Sequence, residues 1–264
     1  MKSSFVANLS AASLAGAAFI ASTAAGAQTI QGNVPALVAT GNPVVVIVRV
    51  PKPWYAPRAA VTSKMRDTMP QYAQLRGLAF KAYSFEQSSG DYGGVYFWRD
   101  AASAQAWFTP AWFARVKTER GADASVRMLE APVTIDNNPG GTQISRDSTA
   151  VATLVDIPVP TGLGRDRVLA GFQATLPQYQ RIPGLLRKHF TIHQEAGTSA
   201  QFGGVYIWKD AASAKAWFTD AWQLRVRDTY GHSPTIEWFD LPILLPTQDV
   251  GNNPSGPALI AAAP

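Results

Sequence analysis

The sequence predicts an α+β protein: two tandem ferredoxin-like βαββαβ domains that pair within one chain. Three observations carry this. From 93–112 against 203–222, 16 of 20 positions agree at an offset of 110. Each copy presents strand-like and helix-like segments in the same order. A ferredoxin-like sheet carries its helices on one face, so its other apolar face needs a cover. A second copy in the same chain supplies one, as an internal pseudo-dimer.

The elements follow in order. Val44 to Val50 is β-branched and reads as the first strand, matched by Val151 to Ile157. Val61, Met65 and Met69 recur at i, i+4, i+8 and predict an amphipathic helix, matched by Val168, Phe172 and Leu176. Pro70 and Pro177 are expected to end these helices, because proline lacks the N–H and crowds the preceding turn. Leu78 to Glu86 and Leu185 to His193 read as second strands. Val95 to Trp98 and Val205 to Trp208 read as third strands, and the Gly-Gly pair before each suggests a bulge or a close backbone approach.

Asp100 and Asp210 are N-cap candidates for the Ala-rich helices that follow. Thr109-Pro110 looks like a second cap with proline at the first helical position, so that helix is expected in two pieces. Val126 to Ala131 and Ile236 to Leu241 read as fourth strands. Upstream the offset between copies is 107, aligning Pro70-Gln71-Tyr72 with Pro177-Gln178-Tyr179. The second copy has therefore gained three residues in a hairpin loop. The domains are expected at 44–132 and 151–242, joined by a linker at 133–149. The stretch from 28 to about 42 and the tail 247–264 are read as mobile.

The 264 residues carry a net charge of +5, with 16% charged side chains and no cysteine. Disulfide frameworks, thiolate metal sites and thiol nucleophiles are excluded. No Lys/Arg cluster reaches the density of a nucleic-acid-binding arm. Residues 1–27 combine Lys2, an Ala-rich apolar run and a terminal Ala25-Gly26-Ala27, the pattern of a cleaved secretory signal peptide. A periplasmic or secreted location is expected, with no membrane span after cleavage.

The block Gly-Gly-Val-Tyr-x-Trp-x-Asp-Ala-Ala-Ser-Ala-x-Ala-Trp, present twice, resembles the YdhR-like monooxygenase family of the dimeric α/β-barrel superfamily, which also includes antibiotic-biosynthesis monooxygenases. The resemblance implies an intramolecular pseudo-dimeric α/β barrel with a small-molecule cavity between sheet and helices in each half. It also implies cofactor-independent oxygenation of a small aromatic or polyketide-like substrate, whose own carbanion reacts with oxygen. The alternative is a non-catalytic binding or structural module.

The candidate residues carry two readings each. His189 and His193 share a face of the second strand of copy two, about 13 Å apart at strand rise. That separation suits no common metal ion. They are either polar strand positions, or one of them is a general base or hydrogen-bonds the substrate. Trp98/Trp208, Trp107/Trp217 and Trp112/Trp222 either fill a core or line an aromatic pocket. If a pocket exists, Tyr96, Tyr206, Trp98, Trp208 and Trp217 are expected to line it, with Arg115 and Arg225 stabilising an enolate or phenolate. Only copy two has strand histidines, which favours it as the active copy. Lys81/Lys188 and Glu130/Asp240 also recur, and a cross-strand pair between them is an expectation. No nucleotide or flavin motif is present, and no cofactor or metal is expected.

Overall fold

A computed structural model describes residues 28–29, 42–138, 145–195, 198–247 and 260–261. The expected signal peptide lies outside these residues, as do most of the 28–42 stretch, the middle of the linker and most of the tail. The elements are β1 (Gln28–Thr29), β2 (Val44–Val50), α1 (Arg58–Ala73), β3 (Leu78–Glu86), β4 (Tyr92–Trp98), α2 (Ala101–Trp107), α3 (Pro110–Arg120) and β5 (Ser125–Asp136). The second copy repeats them as β6 (Val151–Pro158), α4 (Arg165–Tyr179), β7 (Leu185–His193), β8 (Gln201–Trp208), α5 (Ala211–Trp217), α6 (Asp220–Tyr230) and β9 (Thr235–Pro246), followed by β10 (Ile260–Ala261).

Each copy has the expected ferredoxin-like strand order, β5-β2-β4-β3 and β9-β6-β8-β7. β3 pairs with β9, and β5 pairs with β7, so the eight strands close into one antiparallel barrel. β1 and β10 add short pairings on β5. Closure removes the free sheet edges of both halves.

Alternation along β2 shows how the barrel is filled. Val44, Val46, Val48 and Val50 pack in a cluster with the helices of their own half. Val45 and Ile47 point the other way, into a cluster with Phe97, Leu129, Leu154 and Phe239 that contains no helical residue and draws on both halves. The bare faces of the two sheets are therefore buried against each other, as the duplication requires.

Two expectations about boundaries are corrected. The fourth strands do not stop at Ala131 and Leu241: β5 runs on to Asp136 and β9 to Pro246. Their second halves, which include the start of the expected linker, make the pairings that close the barrel. Pro132 and Pro242 sit where the register shifts, and proline, having no N–H for the ladder, belongs at such a bulge. Nor do Pro70 and Pro177 end their helices, which continue to Ala73 and Tyr179. A proline in the last turn forfeits one backbone bond, and the extra turn seats Tyr72 and Tyr179 against the sheet.

The caps form as expected. Ser103 N–H donates to Asp100 and Trp112 N–H to Thr109, at 2.7 and 3.3 Å. Copy two repeats both, through Asp210 and Thr219. The expected Lys–carboxylate pairs do not form. Glu130 instead accepts from Arg165 at the start of α4, and Asp240 accepts from Arg58 at the start of α1. Each half thus clamps the first helix of the other.

Candidate functional site

In each half a cavity opens between the outer face of the sheet and the helices. Cavity one is about 390 Å³ and is walled by Tyr72, Lys81, Tyr83, Tyr96, Trp112 and Arg115, among others. Cavity two is about 370 Å³ and places Tyr179, Lys188, Phe190, Tyr206, Trp222 and Arg225 at the equivalent positions. These volumes fall in the range of small-molecule sites, roughly 300–1,000 Å³.

Local sequence builds the floor of each cavity. Lys81 and Tyr83 alternate on β3 and so share its outer face, and Tyr96 pairs in register with Lys81 on β4. The Gly-Gly pair fits this floor closely. A Cβ on Gly93 or Gly203 would overlap the carbonyl of Val48 or Val155, so the close backbone approach is the one that forms. A Cβ on Gly94 would stand 3.2 Å from Lys81 Cε, and one on Gly204 would stand 3.1 Å from Lys188 Cε. The second glycine of each pair leaves room for a lysine stem.

The two lysines are only 2% exposed. Lys81 Nζ lies 3.1 Å from the ring centroid of Tyr72, 3.9 Å from Tyr83 and 4.4 Å from Tyr96. Lys188 Nζ lies 3.2, 3.7 and 4.5 Å from Tyr179, Phe190 and Tyr206. Among the described residues neither amine has an ion pair or a hydrogen bond. Burial holds both well below the ordinary lysine pKa. Burial also pushes Tyr96 and Tyr206 well above the usual phenol value, so both stay neutral hydrogen-bond donors. Tyr83 shares a 2.8 Å hydrogen bond with Thr68, while the matching Phe190 has no hydroxyl.

The charged groups at the walls are mostly cationic. Among the described residues, cavity one has Lys64, Arg115 and Arg120 against Glu119, and cavity two has Arg167 and Arg225 and no carboxylate. Both cavities therefore suit a flat apolar ligand that carries negative charge.

Of the residues singled out in the sequence, Tyr96, Tyr206, Trp217, Arg115 and Arg225 do line the cavities. Trp98 and Trp208 do not. They are buried in the core beneath, stacked edge-on with Phe108 and Phe218. Trp208 donates to Thr153 at 3.1 Å, while among the described residues the Trp98 N–H has no partner, because Val46 stands where copy two has Thr153.

The histidines are not brought together with the tyrosines and arginines. On β7, Lys188, Phe190 and Ile192 face the helices or the cavity, so His189 and His193 face the barrel interior. His189 stacks on Phe97 at 4.1 Å and meets the Thr134 hydroxyl at 3.0 Å. His193 Nε2 lies 3.1 Å from Arg127, inside an ion network that also holds Asp156 and Glu237. Burial, aided by Arg127, lowers the His193 pKa to about 3. The reason given for favouring copy two therefore falls away, since neither histidine faces a cavity. The lysines are what sequence reasoning underrated. Their recurrence, each two residues before an aromatic ring on the same strand face, was the available signal.

Fold and site together define a pseudo-dimeric α/β barrel built from two ferredoxin-like halves of one chain, with one sheet–helix cavity in each. Solved structures of similar fold include two described as candidate monooxygenases and one described as anthrone oxidase-like. One is a candidate monooxygenase from Fusobacterium nucleatum, with a TM-score of 0.57 at 11% identity over 80% of this chain and 97% of that one. A candidate monooxygenase from Lactobacillus acidophilus follows with a TM-score of 0.52 at 11% identity over 79% and 97%. An anthrone oxidase-like protein superposes with a TM-score of 0.50 at 14% identity over 89% and 99%. At these identities the likeness is one of fold. No protein-family model and no curated sequence matches the chain.

Proposed function

We propose that the chain is an exported, YdhR-like tandem monooxygenase that needs no cofactor. Each cavity takes a small acidic aromatic or polyketide-like substrate. The observation that carries this reading is the pair of matching cavities, each combining aromatic walls, neutral tyrosine hydroxyls and an excess of cationic groups. The signal-like N-terminus supports export.

In this reading the rings of Tyr96 or Tyr206 and the neighbouring tyrosine hold the substrate flat. Their hydroxyls donate to its enolate or phenolate oxygen, and Arg115 or Arg225 at the mouth adds charge stabilisation. The substrate loses a proton from an activated CH₂, and its carbanion reduces dioxygen. One oxygen atom ends in the new carbonyl, and the other leaves as water with the two hydrogens. The protein positions the anion and excludes water, and the substrate supplies the electrons.

The test is oxygen uptake with anthrones and hydroquinones, chosen for their acidity and because one fold neighbour is anthrone oxidase-like. Turnover should fall at least tenfold in a Tyr96→Phe, Tyr206→Phe double variant and in an Arg115→Ala, Arg225→Ala double variant. Tight binding of these compounds by calorimetry without oxygen uptake would leave a small-molecule-binding protein instead.

A further inference from the structure

Each cavity holds a group that the proposed reading does not yet use. Lys81 and Lys188 place an amine at the cavity wall, each close to three aromatic rings that line the same cavity. Neither amine has a carboxylate partner among the described residues. The arrangement occurs twice, on the same strand position, with the same glycine making room for the stem. A buried ammonium normally brings its own counterion. Here the nearest charged groups at the walls are mostly cations: Lys64, Arg115 and Arg120 in cavity one, offset by Glu119, and Arg167 and Arg225 in cavity two. The other titratable groups lining the cavities are tyrosines, whose pKa values are raised by burial.

We propose that Lys81 and Lys188 are the proton acceptors of their cavities, and that the missing counterion is the ligand itself. The inference rests on the reading of the cavities as sites for acidic aromatics. A ligand O–H or enolisable C–H bond breaks, an N–H bond forms on the amine, and the cavity then holds an ammonium beside a phenolate or enolate. No oxidant or metal takes part in this step.

The surroundings favour that product. Desolvation lowers the amine's pKa and so favours its free-base form, whose lone pair can accept a proton. Once protonated, the ammonium lies against the faces of two or three rings, whose electron-rich surfaces attract a cation. The ligand anion completes the pair at short range in a poorly solvated space. The chemical class selected is a small aromatic or conjugated acid that delocalises its charge. An amine or a neutral hydrocarbon would gain nothing from this site.

The probe is para-nitrophenol, whose phenolate is yellow and whose neutral form is nearly colourless, titrated into the full chain on the acid side of the phenol's own pKa. The wild-type protein should turn yellow as both cavities fill. Lys81→Met and Lys188→Met should each halve the coloured stoichiometry, and the double variant should abolish it. Calorimetry run in parallel counts bound phenol whatever its colour. Colourless binding by the wild type, or yellow binding by the double variant, overturns the lysine assignment alone. Absence of any binding overturns the cavity reading along with it. A second measurement needs no variant: with carbon-13 lysine, the Cε resonances of Lys81 and Lys188 should titrate at lower pH than those of the exposed lysines, and, at a pH where their free-amine form is present, should move to the ammonium position on adding the phenol. Resonances that titrate together with the exposed lysines, or that do not move when the phenol binds, would refute the proposal.

Discussion

The two interhalf clamps are equivalent by the duplication, yet they should differ several-fold in strength. Arg165 pairs with Glu130, and Arg58 pairs with Asp240. The difference is burial: the Glu130 side chain is 3% exposed and the Asp240 side chain 34%. Removing Arg165 strands a carboxylate away from water. Among the described residues, one of its oxygens already lacks a partner, and only Asn42, at 2.7 Å, would still serve the other. Breaking a buried pair from one side costs about 3–5 kcal/mol. Arg165 is itself 36% exposed, so water can partly follow it out, and Arg165→Ala should cost about 3 kcal/mol. Asp240 keeps Gln87 at 2.7 Å and meets solvent, so Arg58→Ala should cost at most about 1 kcal/mol in charge interaction. The loss of Arg58 stacking over Phe85 at 4.3 Å adds a fraction of that. In thermal unfolding the first variant should melt roughly 6–12 °C lower and the second roughly 2–4 °C lower. Equal shifts, or a larger one for Arg58→Ala, would refute the argument that burial decides the strength of these pairs. Glu130→Gln combined with Arg165→Ala should recover part of the loss, because no charge is then left stranded.

Further outcomes follow from the same geometry. Thr153→Val removes the partner of the buried Trp208 N–H and should cost about 1–2 kcal/mol by urea denaturation, while Val46→Thr offers the Trp98 N–H the bond it lacks and should cost much less or stabilise. His189 and His193 are held neutral by burial, with folded pKa values below those of the unfolded chain. The stability this provides is complete above about pH 6.5 and is lost as pH falls toward 3, with a slope of about 1.4 kcal/mol per pH unit for His193. A melting temperature flat between pH 6 and 4 would contradict that. Gly203→Ala places a methyl inside the Val155 carbonyl, so it should unfold the barrel or prevent soluble expression. Gly171→Ala, with nothing near its Cβ, should be neutral or stabilising in the same assay.

Much of the fold could be read from residues that repeat. The strand order, the paired caps at Asp100 and Thr109, and the need for each sheet to be covered all follow from local pattern and from the duplication. The site was only half legible. Tyr96, Tyr206, Trp217 and the arginines could be placed at the cavities because they flank the repeated block. The histidines were misleading, because residue chemistry says nothing about which face of a strand is which until the partner layers are known. On β7 a single step along the chain separates Lys188, facing the cavity, from His189, facing the barrel interior.

What the sequence determined by itself is therefore whatever depends on periodicity and on nearby residues: two ferredoxin-like copies, their helices and caps, and an aromatic load shared between them. Only the tertiary structure decided where the strands end, which carboxylate meets which arginine, and which face of each strand meets a cavity. The physical reason is closure. β5 and β9 extend past Pro132 and Pro242 because the other half offers them a free edge, and that pairing is between segments far apart in the chain. It turns Glu130 and Asp240 toward the helices of the opposite half and leaves Lys81 and Lys188 alone with their rings.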